Sequence, residues 1–336
     1  MITDFKQVVA RPPATMRRLL RGAQLELRML ALLALLSVAL SLISPYFFTI
    51  NNILNLMDQS VITGIVAIGQ TFVILIAGID LSVGSLTGAT GIIFGLCLSE
   101  LPLPLAIVVA IVAGGFAGFV NGFIITKGRV AAFIVTLGMM SIGRSMAYVL
   151  SGANSISQLP EQLGELASST VLGVPTNFIV LVALYAVAWY YLTFTKGGRT
   201  IYAIGSNAEA ARTAGLRVDF YSIAVYVISG ALSAVAAVFL AARILSIDPI
   251  AATGLELDTI AAVVIGGASL FGGRGSIIGT FIGVLIMVLI RNGLNLLNVN
   301  PYWQGTAIGS IIVAAVLLER FLSAREGVRV SSQEVG

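Results

Sequence analysis

The chain has 336 residues, of which 58% are hydrophobic and 10% charged, whereas a soluble domain carries roughly 25% charged residues, so a water-soluble fold is excluded. Its net charge of +4 comes from basic residues set beside apolar runs, where a membrane protein anchors itself, and this argues against nucleic acid as the partner. With no histidine and only Cys97 as a thiol, neither a disulfide framework nor a Cys/His metal site can be built.

Continuous apolar runs near the roughly 20 residues that cross a bilayer predict an all-α polytopic membrane protein of about ten transmembrane helices. A β-barrel would alternate instead. Residues 1–28 are expected to be a basic cytoplasmic tail. The first span is predicted at Met29–Phe48. It begins like a signal peptide, but the run is too long, and Ser-Leu-Ile-Ser-Pro-Tyr-Phe-Phe offers no small-x-small cleavage site. Further spans are predicted at Val61–Ile79, Leu81–Leu98, Leu103–Ile125, Val130–Leu150, Asn177–Phe194, Phe220–Ala242, Asp258–Phe271, Ser276–Leu297 and Trp303–Leu322. Residues 29–322 thus form one membrane domain, and 323–336 a second cytoplasmic tail. The joint at Asp80 has no true loop and the eighth span is short, so broken or re-entrant segments are expected there.

Ten spans put both termini on one side. Of the 19 Lys and Arg, all except Arg144, Arg243 and Arg291 then fall on that side, which the positive-inside rule makes cytoplasmic. Pro45, Pro102, Pro104, Pro160, Pro175, Pro249 and Pro301 fall in the outer connections, and the other prolines in the N-terminal tail. Spans two to five and seven to ten are four-helix blocks of opposite orientation. Asn121-Gly122 and Asn292-Gly293 recur in them at matching places, which invites an inverted repeat, with chance as the alternative.

Small residues recur every four positions at Ala110, Gly114, Gly118 and Gly122, and again at Gly275, Gly279 and Gly283. Close packing inside one subunit is the favoured reading, with a dimer seam or gate as the other. The Gly272–Thr280 stretch lacks the lysine of a phosphate loop, so ATP hydrolysis is not expected of this chain. The inner loop 196–219 predicts a short helix, with Ser206 and Glu209 as a capping box and Gly215 as its left-handed exit. Asp80 is expected to N-cap the third span, the alternative being a gate or ion-pair element. For Arg144, a carboxylate partner or snorkelling to the outer surface is expected ahead of a sugar contact. Gln70, Asn121, Thr136, Asn292 and Asn295 are candidates for a polar route, or else interhelical hydrogen bonds.

Four stretches then identify a resemblance: Ser44-Pro45-Tyr46-Phe47-Phe48-Thr49-Ile50-Asn51-Asn52, Gly78-Ile79-Asp80-Leu81-Ser82-Val83-Gly84-Ser85, residues Gly254 to Val264, and Asn292-Gly293-Leu294-Asn295-Leu296-Leu297. Over essentially its whole length the chain resembles the permease subunits of ribose-type sugar ABC importers. Glu209-Ala210-Ala211 followed by Gly215 looks like the loop by which such permeases dock on their ATPases, which adds Ser206, Asn207 and Arg212 to the coupling candidates. The resemblance implies a bacterial inner-membrane location, two permease subunits, ATP-binding subunits and an extracytoplasmic sugar-binding protein. ATP and magnesium would belong to the ATPase, leaving this chain without a cofactor. The sugar is not fixed. A secondary transporter would need charged relays at midplane, and a channel a charged ring or carbonyl filter; the spans offer little of either.

Overall fold

The structure, a computed structural model, describes residues 14–300 except 158, together with 303, 305, 306, 309, 310 and 313, and side chains from residue 26 onward except 166. The chain begins with α1 (Ala14–Ile43), which stops just before Pro45, and α2 (Ile50–Leu75). Helix α2 starts well before the predicted Val61, because Thr49 caps it through a bond from the Asn52 backbone N–H. Its first turns, rich in asparagine, do not register as an apolar run. It also stops short of Ile79: Ala77 takes a left-handed conformation (φ 63°) and the Gly78 N–H turns back onto the Val73 carbonyl.

After this break come α3 (Val83–Leu98), α4 (Leu103–Gly128) and α5 (Ala132–Ser151). Pro104 lies inside the first turn of α4, where its missing N–H costs nothing. The predicted outer connection after α5 is structured: β1 (Ile156–Ser157), α6 (Glu161–Ser168), β2 (Thr170–Val171) and β3 (Val174–Pro175). Next are α7 (Thr176–Phe194), α8 (Lys196–Ser206), α9 (Ala208–Thr213), α10 (Val218–Ile244), β4 (Ser246–Ile247), α11 (Leu255–Ile265) and α12 (Ile277–Leu296). The strands make two small antiparallel ribbons, β1 with β4 and β2 with β3.

Each expected span from the first to the ninth overlaps a helix, while Trp303–Leu322 lies largely outside the described residues. Among those residues, 7 helices are long and apolar enough to cross a membrane. The 16 residues of α3 and the 11 of α11 are the short elements. Helix α3 follows the break at the Asp80 joint, and α11 gives way to a non-helical stretch at 266–276 within and beyond the expected eighth segment.

Helices α2, α10 and α12 bury much of their surface, whereas α4, α5 and α7 expose theirs. The core is sealed by backbone contact. A Cβ on Gly118 would strike the Tyr226 carbonyl, and one on Gly122 would sit 2.8 Å from Ile223 Cα, so α4 lies directly on α10. Gly279 and Gly283 do the same for α12 against Gly266 and Ala262 of α11. Both stripes therefore serve packing within the subunit.

The pairing also follows a two-fold pattern. Helix α4 packs on α10 as α12 packs on α2, and α3 meets α10 as α11 meets α2. The shift that carries Asn121 onto Asn292 carries Asn52 onto Ile223. Correspondingly, Gly122 touches Ile223 while Asn292 bonds to Asn52.

Candidate functional site

The break between α2 and α3 holds a buried polar cluster. Asp80 Oδ1 accepts from the Ser82 backbone N–H at 3.0 Å and from Ser82 Oγ at 2.6 Å, and Oδ2 accepts from Ser229 Oγ of α10 at 2.9 Å. Asn121 of α4 donates to Ser82 Oγ at 3.0 Å, and Thr136 of α5 donates to the Ile79 carbonyl at 3.1 Å. Three helices, α4, α5 and α10, are thus tied to one unwound segment, and Asp80, Ser82, Asn121 and Thr136 are all fully buried. Gly69 makes the geometry possible, since a Cβ there would lie 2.8 Å from Ser229 Cα.

This corrects the capping expectation. Ser82 holds the N-cap position of α3 without a side-chain cap bond, and the Asp80 carboxylate is spent on Ser82 and Ser229. The reason is position: α3 starts at Val83, two residues later than a cap at Asp80 would require, so Ser82 stands at the N-cap.

The other path candidates separate. Gln70 is fully buried in α2, and neither of its amide atoms has a partner among the described residues. Asn292 exchanges hydrogen bonds with Asn52 at the far end of α2, and Asn295 is exposed near the end of α12. Asp258 of α11 is ion-paired with Arg291 of α12. Ser82 and Ser229 were not singled out from sequence. Ser82 lay within the Gly78–Ser85 stretch that carries the resemblance, and the signal for Ser229 was polarity inside an apolar run.

A second site lies where Lys127 and Arg212 meet at Asp219, at the basic end of the bundle. The predicted helix there is α9, but its cap is Asn207, whose Oδ1 accepts from the Ala210 N–H at 2.9 Å. Ser206 closes the preceding helix instead and bonds back to the Tyr202 carbonyl. The capping box of Ser206 and Glu209 is therefore absent; of two adjacent cap-forming residues, the chain uses the second.

The exit is as expected. Gly215 has φ 80°, its N–H bonds to the Arg212 carbonyl, and the Leu216 N–H bonds to the Ala211 carbonyl, which together form a Schellman closure. Ala211 packs inward with Ile204 and Val218, while Glu209 and Ala210 are exposed. Arg212 and Lys127 both bond to Asp219, pinning α9 to the ends of α4 and α10.

Helix α8 was not predicted, because Gly197-Gly198 reads as a breaker. Those glycines instead let its first turn, capped by Thr195, lie against Tyr191 and Leu192. At its other end Gly205 lies against the Leu75 carbonyl and Gly273, the Gly273 N–H bonds to that same carbonyl at 2.9 Å, and Tyr202 Oη bonds to the Gly275 carbonyl. The α8–α9 element therefore touches the end of α2, immediately before the break that carries Asp80.

Residues 52–316 match the family model described as branched-chain amino acid transport system / permease component. The ribose import permease protein RbsC of Haemophilus influenzae is 41% identical over 307 residues, covering 90% of this chain and 95% of its own. The D-allose transport system permease protein AlsC of Escherichia coli is 37% identical, covering 87% and 90%. The probable ABC transporter permease protein YphD of the same organism is 36% identical, covering 89% and 91%. No solved structure matches the chain. A bundle of apolar helices with a polar break at its centre and a capped helical element at one end, matched along most of its length by these proteins, belongs to this family of membrane permease components.

Proposed function

We propose that this chain is the membrane-spanning permease subunit of an ATP-driven importer for a small sugar, ribose or a related monosaccharide. The carrying observation is the near full-length likeness to relatives named as ribose and D-allose permeases, at 37–41% identity. The chain works as one of two permease subunits, with an ATPase on the cytoplasmic side and an extracytoplasmic sugar-binding protein opposite. Both termini are cytoplasmic. ATP and magnesium are bound by the ATPase, and this chain performs no chemistry.

The mechanism follows from the contacts. Helix α9 offers Glu209, Ala210 and Arg212 to the ATPase groove, and α8 carries any displacement to the Leu75–Gly273 contact. That contact adjoins residues 76–82, which lie between α2 and α3 and deform more easily than a continuous helix. The Asp80 cluster supplies a polar hinge whose bonds re-form at each end of the cycle.

Proteoliposomes test the reading. The complete set of ATPase, binding protein and this chain is expected to accumulate labelled ribose or allose on ATP addition, and the chain alone to accumulate neither. Accumulation by the lone chain on a proton or sodium gradient overturns it. Uptake of leucine in place of sugar would follow the wording of the family description and refute the sugar assignment.

A further inference from the structure

Helix α5 exposes most of its surface, and that surface is chemically divided. Neighbouring α4 shows Val108, Val112, Phe116, Phe119 and Phe123, as a lipid-facing helix should. On α5, Ser141 and Ser145 are exposed one turn apart, with Tyr148 one turn further on and Arg144 beside them. These residues, with Met140, Val149, Thr253 and Glu256, line an open cavity of about 580 Å³. Exposed hydroxyls and a guanidinium within a spanning helix are costly against lipid and are found facing protein or water.

Helix α3 backs the two charged groups of this lining. A Cβ on Gly84 would collide with Glu256 Oε2, and one on Gly88 would lie 3.2 Å from the Arg144 guanidinium. Arg144 donates to the carbonyls of Pro249 and Ala251 at 2.6 and 3.0 Å, and Glu256 accepts the Gly254 N–H. Both charged groups are thus fixed by backbone. Among the described residues they form no ion pair with each other, so each keeps hydrogen-bonding capacity toward the cavity. A rigid donor fork, a carboxylate acceptor and a row of hydroxyls suit a neutral polyhydroxylated solute, whose hydroxyls both give and accept hydrogen bonds.

We infer that this α5 cavity is a way station on the solute route, at its proline-rich, extracytoplasmic mouth, with Arg144 and Glu256 as the groups that engage sugar hydroxyls. This rests on the importer reading for the identity of the solute, but its test reads position. Single cysteines replace Ser141, Ser145, Ile142 or Met146 in a Cys97→Ser background of the complete transporter. The last two lie roughly a quarter turn around α5 from the stripe.

An impermeant maleimide added from outside is expected to label Ser141→Cys and Ser145→Cys about tenfold faster than the other two, as water reaches one face and lipid the other. Ribose delivered by its binding protein should slow the fast pair. Equal rates at all four positions, no labelling of the stripe, or rates indifferent to sugar delivery overturn the inference. Labelling needs no ATP, so it stands apart from a failure of energised uptake.

As a second measure, Glu256→Gln keeps an acceptor for Gly254 but removes the charge. Uptake is expected to fall about tenfold, the scale of one charge-assisted hydrogen bond, with membrane level and ATPase retention unchanged. Wild-type uptake in that variant counts against the site.

Discussion

Asp80 is tolerated at membrane depth because three donors fill its carboxylate, and each donor is itself held by the fold. Replacing it with Ala leaves Ser82 and Ser229 without that acceptor, and each orphaned buried group costs about 1 kcal/mol or more. Asp80→Asn retains one acceptor oxygen, and its new N–H₂ can donate to Ser229 Oγ. The Ala variant is therefore expected to melt at lower temperature in detergent than the Asn variant, with Asn near wild type. Uptake abolished in a fully folded Asn variant would show that the charge, beyond the bonds, is needed. Gly118 makes a sharper case, since any Cβ there meets the Tyr226 backbone. Gly118→Ala should cost about 1–3 kcal/mol, the scale of overpacking, seen as reduced yield of monodisperse protein. The glycine stripe was legible in the sequence because small residues every four positions have few uses in a membrane helix. Ser229 was not. Hydroxyls inside spans usually bond to their own helix, as Thr87, Thr90 and Ser233 do here, and only geometry separates those that reach across, as Ser229 and Thr71 do.

At the scale of elements, α9 is six residues long and has no independent stability. It exists because Asn207 caps it, Gly215 ends it and Ala211 anchors it inward. Gly215→Val places a β-branched residue at φ 80°, a conformation such residues rarely adopt, and is expected to unravel the exit turn. Ala210→Glu, on the exposed face, should leave the permease folded but weaken retention of the ATPase in a pull-down, with uptake falling in proportion. Ala211→Glu, by contrast, buries a charge among Ile204 and Val218 and should lower the amount of folded protein itself. Equal pull-down yields for wild type, Gly215→Val and Ala210→Glu would return α9 to the role of a capped surface helix. The sequence disclosed this helix through its glycine exit, and misplaced its entry because Ser206 and Asn207 are both competent caps. Helix α8 stayed hidden because its glycines serve close packing, a tertiary cause that outweighs their low helix propensity.

For the whole molecule, hydropathy located the spans because lipid leaves the backbone little choice but helix. It failed at the asparagine-bearing start of α2, which is helical yet too polar to read as a span, at the unwound 76–82, where Gly78, Asp80 and Ser82 are buried, and at the non-helical turn from Gly266 to Ser276. Which end faces the cytoplasm is a separate matter, decided by charge. Lys127, Lys196, Arg199, Arg212 and Arg274 cluster at the end that holds α8 and α9, while Glu161, Glu165 and Asp248 mark the other. Asp248 illustrates how that second end is built. Its carboxylate accepts the Ile250 N–H and the Ser155 hydroxyl, which hold it below the usual carboxylate range and brace the loop beside the β1–β4 ribbon. In a Cys97→Ser background, a cysteine at Ser206 is expected to stay unlabelled when an impermeant thiol reagent is added to intact cells, and to react once the membrane is opened. Cysteines at Ser99 and Ser157, exposed at the opposite end, should react in intact cells. Reversal of this pattern would invert the orientation and put α9 outside the reach of any ATPase, so a single labelling experiment bears on both the topology and the coupling element that depends on it.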